Sequence, residues 1–128
     1  MSETTDDSRL ADAYLREFET GDPDLSWAVD EVLEICFARD TERLWQLTLT
    51  LIAKAANPKS LSFIAAGPLE DLLTKQGDAV IERVEIAARR DPKFRLALCD
   101  VWGLSGTILA RVKAAVGNGS NYQWPSST

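Results

Sequence analysis

Leu44-Trp45-Gln46-Leu47-Thr48-Leu49-Thr50-Leu51-Ile52-Ala53-Lys54-Ala55-Ala56 is the stretch on which the fold class turns. Read at helical spacing it is apolar nearly all round, the mark of a central, fully buried helix. Read at a period of two, the β-branched Thr48, Thr50 and Ile52 leave a strand open over residues 47–52. The flanks favour the helix. Asp40 stands where a capping side chain would start a helix at Thr41, and the expectation is one helix from Thr41 to Ala56.

Outward from this stretch, proline sets the punctuation. Proline is favoured at the first position of a helix, where its missing N–H costs nothing. Asp22-Pro23, Asn57-Pro58, Gly67-Pro68 and Asp91-Pro92 each pair it with a residue able to cap, ahead of apolar residues at helical spacing. Seven segments follow. The first runs from Ser8 to Thr20, with Leu10, Tyr14 and Phe18 on one face. The second runs from Pro23 to Arg39, with Val29, Val32, Leu33 and Cys36 inward. The third is Thr41 to Ala56, and the fourth runs from Pro58 to Ala66. The fifth runs from Pro68 to Gln76, between breaks at Gly67 and Gly77. The sixth starts at the cap Asp78, and the seventh starts at Pro92. That last segment either kinks through Gly103 or restarts at Ser105. The reading is all-α: six or seven short helices packed as antiparallel hairpins, a HEAT-like stack without a detectable repeat. It divides the chain into a disordered N-terminus (1–7), one helical domain (8–116) and a flexible tail (117–128).

Composition narrows function by exclusion. The 128 residues are 45% hydrophobic and 27% charged, with a formal net charge of −6, as in ordinary globular domains. Histidine is absent, which removes the commonest general base, the Ser-His and Cys-His nucleophile pairs and most zinc ligand sets. No phosphate-binding glycine loop or metal-ligand spacing is present, and no cofactor is expected. There is no apolar run long enough to span a bilayer. The start of the chain is acidic and polar where a secretion signal needs a basic, then apolar, stretch, so the expected location is the cytoplasm. Cys36 and Cys99 lie in apolar helical stretches, without the spacing of a redox pair, and read as buried free thiols.

Charge is uneven. Residues 1–40 hold 12 acids and 3 bases, whereas residues 41–128 hold 8 acids and 11 bases. The acidic segment places Asp30, Glu31 and Glu34 on one helix, a surface that would attract a basic protein. Nucleic acid is an unfavourable partner for a chain of this net charge. The string Ala66-Gly67-Pro68-Leu69-Glu70-Asp71-Leu72-Leu73 is the most distinctive in the chain. Gly67 ends one helix, and Glu70 and Asp71 fall in the first turn of the next, favoured by its dipole. The same two acids are candidates for a partner contact. With Glu82 and Glu85 they are also the carboxylates that a small metal-dependent enzyme would use. Trp27, Trp45 and Trp102 sit in patterned helices as expected core. Trp124 lies in the tail beside Tyr122, where the aromatic pair would dock on the domain, on a second copy in a homodimer, or on a partner.

Residues 44–102 resemble a bacterial family of small helical domains of unknown function. The resemblance rests on the apolar helix from Leu44-Trp45, the turn Ala66 to Leu73, Gly77-Asp78, Asp91-Pro92 with Phe94-Arg95, and Val101-Trp102. It implies a cytoplasmic bacterial protein akin to helical adaptor or immunity modules, and it brings no catalytic residues. The functional expectation is therefore a non-enzymatic protein-protein interaction module, of immunity or antitoxin type, with Asp30, Glu31, Glu34, Gly67, Glu70, Asp71 and Trp124 as contact residues. The alternatives are the carboxylate enzyme and a structural homodimer that exchanges its tail.

Overall fold

The computed structural model describes residues 6–125. Among these there is no strand, and the stretch that began the reading is helix α3, Thr41–Lys54. Asp40 accepts a hydrogen bond from the Arg43 N–H at 3.1 Å, so the cap settles the choice between helix and strand. The other elements are α1 (Asp7–Thr20), a 3-10 turn (Pro23–Leu25), α2 (Ser26–Phe37), α4 (Pro58–Ile64), a π-helical turn (Ala65–Leu69), α5 (Glu70–Arg90), α6 (Pro92–Leu98) and α7 (Gly106–Val116). The helices number seven, or six if α4 and α5 are counted as one rod through the π turn.

At three of the four proline signals the residue before the proline caps as expected. Asp22 accepts from Asp24 N–H, Asn57 from Ser60 N–H and Asp91 from Lys93 N–H, each at 2.9 Å. Such caps contribute about 1 kcal/mol apiece. Gly67-Pro68 does not. Instead of a stop and a restart, the chain stays helical and widens to a π turn containing Pro68. Proline lacks the N–H for an i−4 bond and its ring collides with that carbonyl, and the wider turn relieves both problems without breaking the rod. Gly77 is likewise no terminus. It lies buried inside α5, one residue past a kink at Gln76 (φ −134°, ψ 27°). The second segment splits, because Pro23 opens only a 3-10 turn and α2 begins at Ser26. At the C-terminal end, α6 and α7 are separate helices joined through Gly103 at φ +80°.

Helices α1, α3, α5 and α7 form a row, each packed on the next. Helix α2 lies against α1 and α3, α4 against α1 and α3, and α6 against α3, α5 and α7. Leu44, Leu47, Leu51 and Ile52 of α3 are fully buried, with Leu10, Leu61, Leu69, Leu72 and Phe94 arriving from its neighbours. Trp45 meets Phe94 edge to face, with ring centroids 5.9 Å apart. Asp7–Arg43 (3.2 Å) and Asp12–Lys54 (3.1 Å) tie α1 to α3 across the rim.

Both ends of the domain are tied to it. Residues 1–5 of the expected disordered N-terminus and 126–128 of the expected tail lie outside the described residues. Asp6 caps α1, accepting from Ser8 N–H at 3.1 Å, and Asp7 is its first residue. Residues 117–125 run back over α6. There the Ser120 hydroxyl donates to the Pro92 carbonyl at 2.5 Å, and Tyr122 and Trp124 meet edge to face. Lys93 Nζ lies 5.7 Å and 5.3 Å from those two ring centres, and donates to the carbonyls of Ala53 (3.0 Å) and Ala55 (2.7 Å) at the end of α3. One ammonium thus joins α3, α6 and the tail.

Candidate functional site

Helix α2 has two apolar stripes. The inner one, Ala28, Val32, Ile35 and Cys36, is buried against α1 and α3. The outer one reads Asp30, Leu33, Glu34, Phe37, spaced i, i+3, i+4, i+7, so all four share a face. All are exposed, Leu33 at 48% and Phe37 at 68%. Leu33, expected inside, is outside because Val32 and Ile35 already fill the contact with α1 and α3, and a helix presents only one side to its neighbours. Of the three acids expected here, Asp30 and Glu34 stand on this outer face. Glu31 does not: it is half-buried, one position round the helix.

The C-terminal end of this face meets the turn that the sequence singled out. The Asp71 carboxylate lies near enough to the Cys36 thiol to raise its pKa and pairs with Lys75 at 3.4 Å, and Lys75 Nζ in turn lies 4.9 Å from the centre of the Phe37 ring. Cys36, Phe37, Arg39, Lys75 and Gln76 line a cavity of about 660 Å³ at this corner. Arg39 ends α2 in the left-handed region, at φ +60°. The two predicted contact regions are therefore neighbours in space. No sequence signal joined them, since Cys36 and Asp71 are 35 positions apart. The other residues expected as contacts at the turn and tail are engaged in packing. Gly67 lies beside the Tyr14 hydroxyl, which a Cβ there would meet at 3.6 Å. Glu70 accepts from the Trp102 N–H at 3.2 Å and so holds the α6–α7 connection. Trp124 is half-buried on α6, on its own chain.

The four carboxylates that a metal-dependent enzyme would need do not meet. Asp71 and Glu82 are eleven residues apart on α5, roughly 16 Å along a helix. Glu85 is held by Arg111 of α7 through two bonds of 2.8 and 2.5 Å, which draws its carboxyl below the usual range. Among the described residues, no three His, Cys, Asp or Glu side chains cluster as a metal site.

The tryptophans and thiols also need correction. Trp45 is core, but Trp27 is exposed under the Arg9 guanidinium (5.7 Å), and Trp102 is 74% exposed. Trp102 is outside because it lies in the connection after α6 and not on a helix face. Cys36 is buried as expected, whereas Cys99 is exposed, donating only to the Arg95 carbonyl at 3.4 Å. Burial, and after it the adjacent Asp71 carboxylate, push the Cys36 thiol up to about 11. Folding thus favours the protonated thiol. The stability this contributes is full below the unfolded value of roughly 8.5 and is lost as pH rises toward 11. At pH 8 an alkylating reagent is expected to modify Cys99 alone, and Cys36 only after denaturation, as read by peptide mass spectrometry. Equal labelling of both in the folded protein would contradict the packing of α2.

The fold and its surfaces define a small all-α protein with an exposed, acid-flanked apolar helix face. Residues 16–119 match the family of unknown function DUF6869, and the chain belongs to it. The matched region contains residues 44–102, on which the resemblance rested, and extends it to the second half of α1, α2 and α7. No curated protein and no solved structure matches the chain. Among the described residues, no helix is long and apolar enough to cross a membrane.

Proposed function

We propose that this chain is a protein-binding module that contacts its partner through the outer face of α2. The observation that carries the reading is that Leu33 and Phe37 stand 48% and 68% exposed on one helix face, which they share with Asp30 and Glu34. Covering such side chains contributes about 1.5–3 kcal/mol each, and acids around them favour a basic partner while repelling acidic ones. Residues 1–40, which contain this face, carry the whole acid excess of the chain, since the remainder has more bases than acids. In its narrower form the module is a cytoplasmic bacterial inhibitor of immunity or antitoxin type, which blocks a basic protein by covering its surface.

The test is capture from a lysate of the source organism by the tagged protein, in parallel with Leu33→Asp/Phe37→Asp and Asp30→Lys/Glu34→Lys. All four positions are exposed, so both variants are expected to keep the helical circular dichroism of the parent. The wild type is expected to hold one stoichiometric partner at low salt and to release it in about 0.5 M salt, where the screening length is roughly 4 Å. Both variants are expected to hold none. Capture of the same partner by all three proteins would refute the assignment to α2.

A further inference from the structure

We propose a ligand site at the other end of the chain: the cleft between the α6–α7 connection and α7 binds a small amphiphile, a flexible apolar chain ending in a carboxylate, as in a medium-chain fatty acid. The cleft measures about 560 Å³, within the ordinary range for small-molecule sites. Its walls are Val101, Trp102, Leu104, Leu109, Val112 and Val116, with Lys113 as the single charged lining residue; the Glu70 carboxylate borders them, engaged by the Trp102 N–H at 3.2 Å.

Three observations choose this occupant. First, the walls are held in place before any ligand arrives. Glu70 accepts from the Trp102 N–H at 3.2 Å, which ties the connection to α5. Second, the Trp102 backbone is pinned while its indole, 74% exposed, has no ring or hydrogen-bond partner among the described residues, leaving an apolar surface for a ligand to cover. Third, Lys113 is exposed and makes no ion pair among the described residues, so the one positive charge lining the cleft is available to a carboxylate. A partner helix, about 10–12 Å across with its side chains, needs a long groove, and this cleft is confined to one connection and one helix.

The probe is decanoate, added below its micellisation threshold and followed by tryptophan fluorescence and by alkylation of Cys99, which lines the same cleft. The expected result is a saturable blue shift at one decanoate per chain, with Cys99 protected at the same concentration. Trp102→Phe is expected to abolish the shift but not the protection. Lys113→Gln is expected to weaken decanoate about tenfold, the loss of one charge-assisted contact. Decanol is expected to bind wild type and Lys113→Gln alike, because it lacks the charge. Trp102 and Lys113 are both exposed, so neither change threatens the fold. The site is refuted by a shift that does not saturate, by one that survives in Trp102→Phe, or by equal affinity of Lys113→Gln and wild type for decanoate. It is equally refuted if light scattering shows that a second copy of the chain covers the cleft and decanoate does not displace it.

Discussion

Replacing Phe94 with alanine is expected to remove about 4 kcal/mol of stability, the cost of emptying a fully buried aromatic position whose surroundings collapse only in part. Phe94 stands on α6, but it packs in the common core and meets the Trp45 ring of α3 edge to face at 5.9 Å. The cavity therefore opens where three of the helices converge, since α6 touches α3, α5 and α7. For a domain of this size the loss corresponds to a fall of roughly 15 °C in Tm. Against a typical total of about 5–15 kcal/mol, it leaves the variant marginal at growth temperature. Thermal unfolding followed by circular dichroism reads the effect, with Trp102→Ala as the internal contrast. Trp102 is as large as any residue in the chain, yet it is mostly exposed and is expected to cost no more than about 0.5 kcal/mol. Similar losses from both changes would contradict the burial of α6.

Gly77→Val is expected to cost about 3 kcal/mol, although valine is the better helix former. A Cβ at residue 77 would lie 2.9 Å from both Cγ1 and Cδ1 of Ile108, so that side chain would have to leave its place at one of the main contacts between α5 and α7. Glycine is present for space, not for backbone freedom. The partner change shows this: in a background of Ile108→Ala, the valine at position 77 has room, and most of the loss is expected to return. Urea unfolding of the four members of the cycle measures the coupling. If the two changes add without coupling, α7 does not pack on Gly77.

These expectations separate what local sequence carries from what packing adds. Asn57-Pro58 and Asp91-Pro92 were legible as helix starts because a capping side chain and a fixed proline φ act within a few residues. Gly67-Pro68 and Gly77 have the same local grammar of breaks and were misread as termini. At both positions distant contacts hold the rod together: Leu69 and Leu72 are buried in the core, and Ile108 fills the space over Gly77. The candidate surface divides in the same way. Asp30 and Glu34 were found from charge alone. Leu33 and Phe37, the apolar part of that face, were not, because hydropathy cannot say which of two stripes on one helix turns inward.

By itself, the sequence determined that the chain is all-α, where most of its helices begin, that α3 is the central element, and that histidine chemistry is absent. Each follows from short-range physics: capping geometry, proline's fixed backbone, apolar periodicity and the inventory of side chains. Only the tertiary structure decided that α4 and α5 run on through a π turn. It also decided that Glu70 holds the α6–α7 connection while Asp71 lies beside Cys36, that Lys93 gathers the tail, and that Trp102 lies outside. Those outcomes depend on pairs such as Cys36 with Asp71 and Glu70 with Trp102, which are 35 and 32 residues apart. No local preference encodes a contact at that separation; the packing of the helices on one another creates it.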